Sequence, residues 1–269
     1  MRFVGTNRKY IVRGKSSLVL LALAIVTMAP SSAVAQYAPK WHVGDWWVTK
    51  TLRASRAGPG KVWDYTRYDV VRIEKIGKRD CFVLETRLQG PMGEPAGKTK
   101  NVRYVHVDDW LVVKQEIGHT YSDTVCPPWV MNAPLGLFGP FGGELRLPRF
   151  PLRLDDPDTT FKLKKRDDGF AELREISRIA DSALVKRVLD DGDSAGARVV
   201  RPTGVVYQVR NEGGGDLETD NRRIVQSLQF WSEDQPWRVY EEGVQYDGPK
   251  LVRRVNERTW LVASSRQGR

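Results

Sequence analysis

The stretch VWDYTRYDVVRIEKIGKRDCFVLETRL, residues 62–88, decides how this chain folds. Trp63, Tyr65, Val71 and Ile73 alternate with charged residues at a period near two rather than 3.6, the pattern of a strand with one buried face. Gly77-Lys78-Arg79-Asp80 is turn chemistry, and Cys81 to Leu88 returns as the next strand with Phe82 and Leu84 on one side. The stretch is therefore a hairpin, and its neighbours repeat the pattern. Trp46 to Leu52 precedes it, while Lys100 to Val107 and Leu111 to Ile117 follow it, joined around Asp108-Asp109-Trp110. Such short connections force antiparallel neighbours, so residues 41–125 read as a meander.

The C-terminal third is extended again. Val205 to Arg210, Arg223 to Trp231, Trp237 to Tyr246, Leu251 to Val255 and Arg258 to Ser264 are separated by Gly213-Gly214-Gly215, Ser232 to Pro236 and Asp247-Gly248-Pro249. Between the two β regions, Phe161 to Arg166 and Phe170 to Arg178 fit a hairpin across Asp167-Asp168-Gly169. A helix competes with it: Leu173, Ile176, Ile179, Ala180, Ala183, Leu184 and Val188 recur at spacings of mostly three and four, and Asp190-Asp191-Gly192 would end the run. Periodicity favours the helix over 172–189. The expected class is mainly β: an antiparallel meander forming a curved sheet, half-barrel or sandwich, with at most one sizeable helix.

The middle of the chain differs in kind. Pro127 to Gly143 holds 17 residues without one charge, and Pro127, Pro128, Pro134 and Pro140 deny it ladder hydrogen bonds and helical continuity. With Pro148 and Pro151 beyond it, residues 127–158 read as one long Pro/Gly/aromatic loop. Its apolar side chains Trp129, Leu135, Leu137, Phe138 and Phe141 either plug an open side of the sheet or line a ligand cavity.

Residues 1–35 specify an address. Arg2, Arg8, Lys9, Arg13 and Lys15 form a basic leader, Leu18 to Met28 is apolar except for Thr27, and Ala33-Val34-Ala35 presents small residues for cleavage before Gln36. The run is shorter than the roughly 20 residues that a spanning helix needs. The expectation is a signal peptide over 1–35 and a single β-rich domain over 36–269, periplasmic or secreted from a bacterium. Loss of the five leader cations lowers the net charge from +10 to +5. The signs are mixed along the chain, which argues against nucleic acid as a partner. Two cysteines in an oxidising compartment make a Cys81–Cys126 disulfide the natural expectation, worth about 4 kcal/mol by loop entropy.

Chemistry-bearing residues are sparse. His42, His106 and His119 sit in no motif, and although His106, His119 and Asp108 are suitable ligand types, their spacing gives a metal site no support. The acid pairs Asp108-Asp109, Asp155-Asp156, Asp167-Asp168 and Asp190-Asp191 lie at turns, and Glu241 and Glu242 point to opposite faces of a strand. No nucleophile elbow, phosphate loop or dinucleotide fingerprint is present. The expectation is a non-catalytic protein without metal or cofactor.

An exported chain opening with Trp41-x-x-Gly44-Asp45-Trp46-Trp47, then a meander with a loop across it, resembles the uncharacterised secreted β-rich proteins of bacteria. Over residues 41–160 it is similar in outline to the periplasmic lipoprotein carriers, whose half-barrel holds acyl chains under a lid. That resemblance implies an apolar cavity and carries over no binding residue. Two functions follow as expectations. One is a monomeric envelope protein binding a lipidic or other apolar small molecule beneath Trp129, Leu135, Leu137, Phe138 and Phe141. The other is an interaction module whose loop is completed by an envelope protein.

Overall fold

The hairpin of residues 62–88 lies in the middle of one large antiparallel sheet. The computed structural model describes residues 36–54, 61–117, 124–125, 133–134, 150–154, 158–162, 172–216, 222–247 and 252–267. All of them fall in the compact unit Ala35–Arg269. In chain order the elements are β1 (Gln36–Tyr37), β2 (Trp46–Ala54), β3 (Lys61–Ile76), β4 (Arg79–Gln89), β5 (Pro95–His106), β6 (Leu111–Ile117), β7 (Thr124–Val125) and β8 (Ala133–Pro134). Then come β9 (Leu152–Arg153), β10 (Asp158–Lys162), β11 (Glu172–Ile179), α1 (Ser182–Ser194), β12 (Val206–Asp216), β13 (Arg222–Ser232), β14 (Tyr240–Asp247) and β15 (Val252–Ser264).

Thirteen of the described strands share one sheet in the order β10-β11-β12-β13-β14-β15-β2-β3-β4-β5-β6-β7, with β8 also on β6, while β1 pairs only with β9. Two meanders are thus joined where the last long strand meets the first: β15 pairs with β2 through Thr259↔Thr51 and Trp260↔Lys50. Among the described residues the fold is mainly β with a single short helix, and the long strands form one open curved antiparallel sheet. Among the described residues no helix is long and apolar enough to cross a membrane.

The curl of this sheet follows from its aromatics. The ring of Phe150 lies 5.8 Å from Trp110, at the β5–β6 turn, and 4.9 Å from Trp231 on β13. In a flat sheet the strands bearing those two tryptophans would be roughly 30 Å apart. Two ring contacts span the gap only if the sheet bends, with Trp110 and Trp231 on its concave side. Trp110 takes φ 60°, left-handed backbone that a bulky residue adopts only at a cost of about 1–2 kcal/mol, and so reaches this contact.

The convex face carries α1. In register, Phe230, Tyr240, Trp260 and Lys50 form one cross-strand row, and the helix covers it. Trp260 Nε1 donates to Val188 O at 3.2 Å, and Lys50 Nζ donates to Gly196 O at 2.8 Å. Asp181 caps the helix by accepting from Ala183 N and Leu184 N.

Three expectations need correction. Residues 172–179 are strand, and the helix starts at Ser182 after the Asp181 cap and runs through Gly192, whose buried site against Trp260 needs a residue without Cβ. The three glycines 213–215 lie inside β12, paired with Val225, Ile224 and Arg223, rather than separating strands. Ala133–Pro134 pairs at the sheet edge, where a proline lacks only its N–H and is tolerated. Cys81, one half of the expected disulfide, is buried and packed with Val83, Tyr104 and Val113. Its expected partner Cys126 lies outside the described residues, as do Trp129, Leu135, Leu137, Phe138, Phe141 and His119.

A Cβ on Gly192 would come within 2.6 Å of Trp260 Nε1 and 2.7 Å of Val199 Cγ1. Gly192→Ala is expected to cost about 1–3 kcal/mol by overpacking, read as a lower urea midpoint, despite the better helix propensity of alanine. A midpoint that rises would contradict the docking of α1 described above.

Candidate ligand-binding face

The concave face has an apolar end and a polar middle. At the apolar end the segment 37–41, the β5–β6 turn, Phe150 and Trp237 close over the strand ends as an aromatic stopper. Trp41 lies 5.2 Å from Trp47, 4.6 Å from Trp110 and 6.0 Å from Trp237, and Trp237 stacks on Trp47 at 5.0 Å and on Tyr68 at 5.4 Å. Burying rings of this size contributes roughly 2–3 kcal/mol each, so the stopper is a main source of stability. Trp41 Nε1 donates to Pro236 O at 2.7 Å, and Tyr37 Oη donates to Ser232 O at 3.0 Å.

Polar groups seal this end. Burial raises the Tyr37 pKa, and burial followed by a bond to Glu233 pushes Tyr207 up to about 12, so both phenols stay protonated donors. Asp45, 6% exposed, accepts from Arg266 Nη2 at 2.5 Å, Ser265 Oγ at 3.1 Å and His42 N at 2.9 Å. Burial pushes its pKa up, but these bonds and the Arg266 charge outweigh it and hold the carboxyl below its ordinary value. The clasp ties the N-terminal segment to the end of β15.

Beyond the stopper, alternation places polar side chains on the concave face of strand after strand. Ser177 is opposite Val209, which is opposite Gln229, which is opposite Glu241. The row continues through Thr259 and Thr51 to Asp64 on β3. Hydrogen bonds link parts of it: Trp231 Nε1 donates to Gln229 Oε1 at 2.9 Å, Gln229 Nε2 to Glu241 Oε1 at 3.3 Å, and the hydroxyls of Thr51 and Thr259 lie 2.9 Å apart. Arg238 pairs with Glu241 while its guanidinium lies over the Trp237 ring at 5.0 Å. A second row brings Glu175, Asn211 and Ser227 into line, and Thr86 and Asn101 lie opposite each other on β4 and β5.

The inner side of this sheet thus carries a polar belt beside apolar core residues of the same face, Leu84, Val105 and Val209. Several of its groups are buried without a hydrogen-bond partner among the described residues: Thr86 Oγ1, Ser227 Oγ and Asn101 Oδ1. Leaving such groups unmet costs about 1–3 kcal/mol each. Leu88, opposite Thr66, is 52% exposed, a single apolar side chain beside the polar belt.

No belt residue was singled out from sequence as a ligand contact; the nearest signal was that Glu241 and Glu242 face opposite sides. They do: Glu241 joins the belt, and Glu242 meets Tyr240 and Arg258 on the other face. His106 is brought beside Asp109, with Nδ1 and Oδ1 2.8 Å apart, and opposite Cys81 across β4 and β5. Burial raises the Cys81 pKa, so it is a neutral thiol rather than a nucleophilic thiolate. Among the described residues no group of three His, Cys, Asp or Glu side chains has the arrangement of a metal site.

No protein-family model matches the chain, and no curated protein matches it. Two crystal structures are similar. One is a proposed exported protein with a YmcC-like fold from Bacteroides fragilis, at 11% identity and a TM-score of 0.34, over 86% of this chain and 99% of that one. The other is a proposed lipoprotein from Parabacteroides distasonis, at 9% identity and a TM-score of 0.33, over 83% and 96%. Neither likeness is close enough to carry fold or function across.

The Asp45 clasp makes a pH prediction. A lowered folded-state pKa gives stability that is fully present above the unfolded carboxylate value, near 3.9, and is lost as pH falls through the folded value. Asp45→Asn should cost about 3 kcal/mol at pH 7, and the gap from the parent should close as pH drops below about 4. Urea denaturation at pH 7 and pH 3 measures it; a gap independent of pH would show that the Asp45 charge contributes nothing.

Proposed function

We propose that this chain is an exported, non-catalytic binding protein of the bacterial cell envelope, which holds an amphipathic small molecule against its concave face. The leader of residues 1–35 supports the address. The observation that carries the binding reading is the polar belt. Hydroxyl and amide groups at Thr86, Ser227 and Asn101 are kept buried and unmet at a cost in stability, and such a cost is retained where a group serves something other than folding. A ligand with a polar part along the belt and an apolar part beside Leu88 and Tyr68 satisfies both surfaces. The wholly apolar ligand implied by the resemblance to lipoprotein carriers fits less well, because it would leave the belt unmet.

The interaction-module reading keeps one supporting observation. Ile179 and Val205 are exposed near each other where β11 meets β12, and Met92 and Ile73 are exposed at two other, separate places. Self-association or retention of an envelope protein through Ile179 would favour that reading over a monomer.

Thr86→Val and Ser227→Ala separate the roles. Neither removes a protein hydrogen bond, so the pair should leave stability unchanged or raise it by about 1 kcal/mol. Native mass spectrometry of residues 36–269 released gently from the host envelope should show a solvent-extractable adduct on the parent and less of it on the variant. A clear loss of stability would show instead that these hydroxyls serve the fold.

A further inference from the structure

The expected cleavage point after Ala35 lies immediately before a segment that is locked into the fold. Gln36 and Tyr37 pair in β1 with Arg153 and Leu152. Tyr37 is buried, stacked on Tyr207 at 4.5 Å and set edge-on to Phe150 at 6.1 Å. Lys40 O accepts from Arg266, and Trp41 is held by Pro236 O in the middle of the stopper. A peptidase takes its substrate as an extended segment whose backbone is free on both sides of the scissile bond. The docked Gln36–Tyr37 backbone is already committed to β9.

We infer that removal of the leader and docking of residues 36–41 exclude each other, so that cleavage comes first and docking then seals the new N-terminus into the aromatic stopper. Water adds across the Ala35–Gln36 amide; Ala35 leaves with the leader as a carboxylate, and Gln36 keeps the amino group as an ammonium. The order of the chain supplies the timing. The hydrogen-bond partners of Tyr37, Trp41 and Lys40 are Ser232, Pro236 and Arg266, which lie 195, 195 and 226 residues downstream. A chain exported N-terminus first delivers them last. Until then the segment lacks these three hydrogen bonds even where β9 has already emerged, and the bond stays open to the peptidase.

This inference rests on reading residues 1–35 as a cleaved leader, and the test distinguishes the two. Full-length precursor, residues 1–269, is refolded in detergent micelles and digested with bacterial signal peptidase I. It is compared with a variant carrying about ten Gly/Ser residues between Gln36 and Tyr37, which keeps the cut site but frees it from β1. Near-UV circular dichroism checks that both are folded. The refolded parent should be cut at least ~100-fold more slowly than the insertion variant, because cleavage follows the population of the undocked segment. Both should be cut equally fast when presented before refolding. Equal rates for the two folded precursors would overturn the inference, while a product whose mass does not begin at Gln36 would overturn the leader reading itself.

Discussion

The ring of Phe150, wedged between Trp110 and Trp231, is the contact on which the rest of the structure depends. A sheet of so many strands has no reason to hold a fixed curvature from backbone pairing alone, since twist only biases it. Aromatic contacts across the concave side set that curvature. Once Trp110 and Trp231 are drawn together, Trp41, Trp47, Tyr68 and Trp237 fill the enclosed end, and the N-terminal segment has a place to dock. The clasp of Asp45 and Arg266 then fixes that segment to the last strand. Much of the aromatic burial is concentrated at this end, and the remainder of the concave face mixes core residues such as Leu84 and Val209 with buried polar groups.

That concentration explains why the inner face can be partly polar. In most curved sheets the concave side is the driest part of the molecule, and alternation puts apolar residues there. Here much of the apolar burial is supplied by the stopper and by the convex row under α1, where Phe230, Tyr240 and Trp260 pack at 5.8 and 5.7 Å, with Leu84 and Val209 adding to it on the inner face. Gln229, Glu241, Thr259 and Thr51 occupy inner positions beside them, bonded in the pairs Gln229–Glu241 and Thr259–Thr51. The same division separates the described buried tryptophans: Trp41, Trp47, Trp110, Trp231 and Trp237 hold the curl, Trp260 packs under α1, and Trp231 and Trp237 also border the belt through Gln229 and Arg238.

Much of this architecture was legible in the chain, and the part that was not has a physical reason. Where one face is apolar, period-two alternation identifies strands well, and Leu111–Ile117 falls on β6 residue for residue. The failure at 172–189 occurs where the inner face is polar. On β11 the concave positions include Glu175 and Ser177 while Ile176 faces outward, so the alternation is scrambled and the spacings of three among Leu173, Ile176 and Ile179 imitate a helix. The belt was illegible for the same reason. Each of its members resembles a solvent-facing polar residue in its own strand, and only the register of seven strands brings Ser177, Glu241 and Asp64 into one row. The glycine run at 213–215 misled in the opposite sense: turn chemistry in isolation, it is accommodated inside a ladder between two long neighbours.

The curl is the claim on which the stopper, the belt and the docked N-terminus all stand. It is tested most directly by a double electron–electron resonance distance between spin labels at Asp108 and Glu233, exposed positions two residues from Trp110 and Trp231 respectively. A main distance peak clearly shorter than the roughly 30 Å separation of those strands in a flat sheet is the predicted result. A peak at or beyond that separation would mean that the sheet lies open, with no enclosed end and no concave face.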